Sequence, residues 1–266
     1  MKIWIVSRKK LGVLACCAAG LIMLAAALGT GLRRVVPASA HARKIPIYCV
    51  EKQEKVISIS FDAAWGNEDT QRLIDELGQY NVKATFFVVG QWVDKYPESV
   101  KALADAGHEI MNHSNTHPHM PQLSAAQMTD EINACNDKIE AVTGVRPLLL
   151  RPPYGDYNNT LVETLHGLGM YCIQWDVDSL DWKGISASQI YSRVTSRVKN
   201  GSIVLFHNAA AHTPEALPMI LEELVHRQGY SIVPISQLIY RDSYLGDHEG
   251  RQHSQTGSAS AAAPSA

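Results

Sequence analysis

The first fifty residues contain no Asp or Glu, while they carry eight of the chain's 24 Lys and Arg. The other 16 basic residues face all 26 acids, so the part from Ile45 onward has a net charge near −10. A surface that acidic repels phosphate backbones and excludes nucleic acid as a partner. Cysteine is also scarce: of five, Cys16 and Cys17 fall in an apolar run, leaving Cys49, Cys135 and Cys172 without regular spacing. That pattern is neither a disulfide framework nor a thiolate metal site. Asp247 to Ala266 has no large apolar residue and is rich in Ser, Ala, Gly and Gln, so residues 242–266 are expected to be a disordered tail.

What is present begins with 22 uncharged residues, Leu11 to Leu32, flanked by Lys2, Arg8, Lys9 and Lys10 before and Arg33 and Arg34 after. A helix of that length crosses a bilayer core of about 30 Å. The reading is an N-terminal transmembrane helix over 11–32, a cytoplasmic stretch over 1–10 and a linker over 33–54. The positive-inside rule then sends the body out of the cytoplasm. Ala38-Ser39-Ala40 resembles a signal-peptidase site, and cleavage there would release a secreted body.

Between residues 55 and 241 short apolar runs alternate with amphipathic stretches. Val56 to Phe61, Ala84 to Val89, Glu109 to Asn112, Leu148 to Leu150, Met170 to Trp175, Ser202 to Phe206 and Ser231 to Val233 read as strands. The stretches between them read as helices; Ser124 caps one that Gly144 stops. The expectation is an α/β fold, a distorted (β/α) barrel of about seven parallel strands, in which chemistry gathers at the carboxyl ends of the strands. The residues just past those ends are Asp62, His113, Arg151, Asp176 with Asp181, and His207, so successive strands deliver ionisable groups to one mouth.

His113 and His117 stand four apart, close enough to share a metal if the backbone turns helically. The spacing by itself does not specify one. Five ordered segments add the context: Ser60-Phe61-Asp62, Asn112 to His117, Arg151-Pro152-Pro153-Tyr154-Gly155, Asp178 to Trp182, and Leu205-Phe206-His207. Over roughly Lys55 to Ile239 the chain resembles the polysaccharide deacetylases of carbohydrate esterase family four, the NodB-homology group. The resemblance implies that His113 and His117 bind a divalent metal, zinc most commonly, with cobalt or another divalent ion as alternatives. It implies Asp62 as general base, Arg151 as its holder, the Tyr154 backbone N–H as oxyanion donor and Leu205 as wall for the acetyl methyl. It further implies His207 as general acid, Asp181 as the group that orients and charges it, and Trp182 packed alongside. Each residue also has a plainer reading: Asp62 as a turn cap, Arg151 as an ordinary buried ion-pair partner, His207 as a core histidine, Trp175 and Trp182 as core.

One position departs from the family pattern. Where the family usually has two adjacent aspartates, the second a metal ligand, this chain has Asp62 and Ala63. An alanine leaves two imidazoles where a catalytic zinc usually has three protein ligands. The Phe61 to Gly66 variant and the apolar amino-terminal run resemble the sporulation-type deacetylases of Gram-positive spore formers, which implies an N-acetylated cell-wall glycan such as peptidoglycan as substrate, met outside the cytoplasm at the cell surface or spore envelope. The competing reading is a catalytically weak or silent glycan-binding or morphogenetic protein on the same fold.

Overall fold

The computed structural model describes residues 43–255. The expected membrane helix over 11–32 lies outside them; among the described residues no helix is long and apolar enough to cross a membrane.

The architecture grows from the strand β2 (Val56–Ala63), which is buried along nearly its whole length. A strand covered on both faces reads as an almost continuous apolar run, the signature of a parallel sheet. Its outward residue Phe61 stacks on Phe86 at 4.8 Å and on Phe206 at 5.5 Å between ring centroids, centring the main apolar cluster beneath the surrounding helices. Its inward residues are small and polar: the Ser58 and Ser60 hydroxyls donate to the carbonyls of Val233 and Val204. On either side of β2 run β3 (Thr85–Val88) and β8 (Ile203–His207), followed outward by β4 (Glu109–Asn112), β5 (Leu149–Leu150) and β6 (Tyr171–Cys172) on one flank and β7 (Val177–Asp178) on the other. These pairings are all parallel, and β9 (Ser231–Ile232) joins the first residues of β2. The expected helices form as well. Ser124 and Gln127 make a reciprocal capping box for the helix Ala125–Thr143, and Gly144 ends it at φ 74°, a left-handed turn that glycine adopts without a Cβ penalty.

Three expectations need correction. The seven-strand path has free ends at β6 and β7, so it is an open half-barrel rather than a closed ring. The gap is crossed by residues expected to be linker: Ile47 exchanges backbone hydrogen bonds with Cys172 and Gln174, and the Val50 N–H donates to Gly201. Ile47 and Val50 are buried, which is why the body begins before residue 55. The expected disordered tail is also ordered to Gln255. There β10 (Tyr244–Gly246) and β11 (Arg251–Ser254) pair antiparallel, and β11 runs parallel to β1 (Cys49–Val50). Backbone pairing with β1 replaces the apolar side chains this segment lacks, a partner invisible to a local reading of composition.

Candidate active site

β2 and β8 pair in register near their carboxyl ends, where Asp62, next to last in β2, is the direct partner of His207, the last residue of β8. Neighbouring strands lie about 4.8 Å apart, so sheet geometry alone sets a carboxylate beside an imidazole at the mouth. Asp62 is nearly buried. Its Oδ1 accepts from Arg151 Nη1 at 2.8 Å, while Oδ2 lies 3.6 Å from His113 Nε2. Arg151 is fully buried, donates also to the Ser60 hydroxyl and the Gln174 carbonyl, and lies 4.2 Å over the Phe87 ring. Burial alone would raise the Asp62 pKa, but the positive charge of Arg151, with smaller contributions from His113 and His207, holds it below the usual carboxylate range. Asp62 is thus ionised and able to take a proton.

His207 has the opposite setting. Burial would lower its pKa, yet the hydrogen bond and charge of Asp181 raise it above the ordinary value. Asp181 Oδ1 accepts from His207 Nδ1 at 2.8 Å and from the Trp182 N–H; Oδ2 accepts from the His207 N–H and the Thr213 hydroxyl. With Nδ1–H pointed at a carboxylate, the other ring nitrogen is left for the cleft.

The two remaining imidazoles come from the loop after β4. His113 Nδ1 lies 2.7 Å from the Arg151 carbonyl, which can only accept, so Nδ1 carries the hydrogen and the Nε2 lone pair is left unprotonated on the Asp62 side. Burial pushes the His113 pKa down, and burial together with the His113 charge brings that of His117 to about 4. Both are neutral at pH 7, the state in which imidazole binds metal. Their ring centroids are 5.0 Å apart. Ser114 and His117 reach this arrangement at φ 66° and 61°, left-handed backbone steadied by donation from the Ser114 N–H to Asn112 and from the His117 N–H to the Ser114 hydroxyl.

Asp62, His113, His117, Tyr154, Trp182, Leu205 and His207 line one cleft of about 540 Å³, while Arg151 and Asp181 support it from behind. Asp176, expected at the mouth, does not belong there. Its carboxylate accepts from the Ser202 hydroxyl and the Ile203 N–H at the opposite, amino end of β8, so it is a structural anchor. The sequence reading gave no role to three groups at the site. Trp65 lines the cleft and is 63% exposed. Asp178 lines it as well. His119 stacks on the Tyr154 ring at 4.2 Å while its Nδ1 contacts Asp156, and Tyr154 sits at φ 60° with its ring edge-on to His117. Trp65 had one available signal: it follows a strand end by two residues, where an apolar ring has no core to enter.

As a metal site the donor set fits in part. His113 and His117 supply two neutral nitrogens, but position 63 gives only a methyl group, 1% exposed and packed in the apolar cluster with Phe61. Among the described residues no group of three His, Cys, Asp or Glu is arranged to hold an ion.

A carboxylate held ionised and an imidazole of raised pKa facing one cleft of a parallel half-barrel, with a second imidazole pair beside them, make an arrangement able to take up and give a proton, as a hydrolase requires. Which kind follows from its relatives. Residues 50–173 match the family model Polysaccharide deacetylase. The chain is 32% identical over 197 residues to the peptidoglycan-N-acetylmuramic acid deacetylase PdaA of Bacillus subtilis, covering 73% of this chain and 74% of that protein. It is 36% identical over 189 residues to the peptidoglycan-N-acetylmuramic acid deacetylase PdaC of the same organism, covering 71% of this chain but 40% of PdaC. The crystal structure of BA3943 from Bacillus anthracis, described as a CE4 family pseudoenzyme, superposes with a TM-score of 0.70 at 33% identity, covering 79% of this chain and 70% of that one. A BA3943 mutant described as having restored enzymatic activity gives 0.71 at 34% identity, over 79% and 73% of the two chains. The chain belongs to the polysaccharide deacetylase family, whose peptidoglycan deacetylases hydrolyse amide bonds. It spans less than two thirds of the length of some curated relatives, 40% of PdaC and 64% of the uncharacterized protein YlxY of Bacillus subtilis.

Proposed function

We propose that the chain removes acetyl groups from the N-acetylated sugars of a cell-wall glycan, with peptidoglycan as the substrate. The observation that carries this reading is the register pairing of Asp62 with His207, which puts a base and an acid of opposite pKa shift on one cleft. Asp62, held ionised by Arg151, takes the proton of the attacking water. His207, whose pKa the Asp181 carboxylate raises, gives a proton to the departing amine, without which an amide nitrogen is a poor leaving group. The Tyr154 N–H, set by its left-handed backbone, donates to the oxygen that gains charge. Leu205 bounds the space for the acetyl methyl, and the exposed rings of Trp65 and Trp182 offer faces for a sugar plane.

His113 and His117 would hold a divalent ion, with water completing its shell. Such an ion lowers the pKa of bound water to about 7 and polarises a carbonyl. The charge-free run over 11–32 supports an anchor that holds the body outside the cytoplasm, at the cell surface or the spore envelope.

Ala63 and the likeness to BA3943 favour a second reading, a glycan-binding protein without turnover. The two are separated by measuring acetate released from N-acetylglucosamine oligomers and from isolated peptidoglycan, with zinc or cobalt added. Release by the wild type and none by His207→Ala supports the enzyme; no acetate from either protein on either substrate supports the silent reading.

A further inference from the structure

Strand β7 ends on Asp178, the register partner of Leu205 on β8, and both side chains line the cleft. Neighbouring strands lie about 4.8 Å apart, so a carboxylate stands one strand away from the residue that bounds the acetyl space. His207, two residues beyond Leu205, lines the same cleft, and the Asp178 charge adds to the field that raises its pKa. The chain then turns sharply. The Ser179 N–H donates to the Leu205 carbonyl, Leu180 adopts left-handed backbone at φ 56°, and Asp181 arrives at hydrogen-bond distance of His207. Asp178 Oδ1 closes that turn by accepting from the Leu180 N–H at 2.8 Å.

The second oxygen of Asp178 is left over. Asp181 and Asp176 each have donors on both oxygens, whereas Asp178 Oδ2 has none among the described residues. Arg193, the cation that reaches this strand end, donates through Nε to the Asp178 carbonyl at 2.6 Å and makes no ion pair with the carboxylate. Around the same cleft stand the rings of Trp175, Trp182 and Tyr154. A partly buried anionic oxygen in such a setting lacks a donor that only the occupant of the cleft can bring. A sugar brings one, since it offers an apolar face to rings and hydroxyls along its edge.

We propose that Asp178 is a substrate-binding residue whose free carboxylate oxygen accepts from a hydroxyl of the sugar that carries the acetamide, and so fixes how that sugar is turned toward Asp62 and His207. The proposal rests on the reading of the cleft as a glycan site and adds the contact that orients the reacting unit. Asp178 moves no proton in the reaction. Its first oxygen shapes the turn and its second meets the ligand.

The test is equilibrium binding to the full chain of three oligomers of equal length: an N-acetylglucosamine oligomer, and the same oligomer with either its 3-hydroxyls or its 6-hydroxyls replaced by hydrogen. Those are the two hydroxyls that an internal unit of the chain keeps. Asp178→Asn retains an oxygen for the Leu180 N–H and turns toward the cleft an amide nitrogen that cannot accept. It should melt near the wild type and bind the parent oligomer about tenfold more weakly, the loss expected for a hydrogen bond to a charged group. One deoxy oligomer should bind the wild type about tenfold more weakly than the parent and lose nothing further in Asp178→Asn, which identifies the hydroxyl. Asp178→Ser, whose hydroxyl closes the same kind of turn but is too short to reach the ligand, should repeat that coupling. Equal binding of the parent by wild type and both variants, or a loss in the variants that is the same for all three oligomers, overturns the proposal and leaves the glycan reading standing. No binding of any oligomer by the wild type overturns both.

Discussion

On the β8 side of the cleft the candidate proton-transfer groups are held by a closed set of partners, with four donors satisfying the two oxygens of Asp181 and the strand register fixing His207 against Asp62. Across the cleft, the loop 112–117 holds its two imidazoles through two left-handed non-glycine residues, each a strain of about 1 kcal/mol or more, and residue 63 has only a methyl group, packed in the apolar cluster. One side inherits its geometry from the sheet; the other has to be bent into place. On the proposed function the proton-transfer half has all its groups while the imidazole pair has no third donor at residue 63, so the two halves should answer to different substitutions.

The largest effects belong to the complete side. Asp62→Asn or His207→Ala should each lower turnover by about 10²- to 10⁴-fold while leaving metal content near wild type, checked by acetate release beside elemental analysis. Equal loss of metal in both would erase the distinction between the halves.

Next comes the incomplete side. Ala63→Asp should raise zinc affinity by at least roughly tenfold, since even an outer-shell partner is worth that much. The same carboxylate would enter a space that now packs against Phe61, so the metal-free variant should melt below the wild type and recover on adding zinc. A melting temperature that ignores zinc would show that residue 63 does not face the imidazole pair.

A smaller effect lies in pH. Because the folded-state pKa of His207 is raised, the stability it gains from Asp181 is fully present below its ordinary value of 6.5 and is lost as pH climbs through the raised value. Activity that needs the charged imidazole should fall along the same alkaline limb, while the acid limb lies below the usual carboxylate range because Asp62 is held down. Asp181→Asn should move the alkaline limb to lower pH without moving the acid one, read from the pH profile of kcat/KM.

The smallest change expected is from His119→Ala, which removes the ring stacked on Tyr154 at 4.2 Å. A stacked pair contributes about 0.5–1.5 kcal/mol, so turnover should drop roughly two- to tenfold. A larger drop would give His119 a direct part in the chemistry.

Much of this was legible in the chain. The run Val56 to Phe61, the Ser124 and Gly144 boundaries, and the polar residues just beyond successive apolar runs located the mouth, because strand burial and helix capping are local in sequence. Asp176 shows where that logic stops: it follows an apolar run like the others, but the strand it was assigned to is only Tyr171–Cys172, and its carboxylate binds the amino end of a different strand. Ile47 and the 244–254 hairpin were misread for the same reason, their backbone partners being supplied by distant segments.

By itself the sequence determined the candidate residues Asp62, His113, His117, Arg151 and His207, the parallel α/β class and the alanine at position 63, since residue identity and periodicity are written into the chain directly. Only the tertiary structure decided that Asp62 and His207 are register partners, that the half-barrel stays open and is bridged by its own amino-terminal strand, and that Trp65 and Asp178 line the cleft. Those relations depend on which strands pair and how far the sheet curls, and pairing across more than a hundred residues is set by the packing of the whole core rather than by any local run.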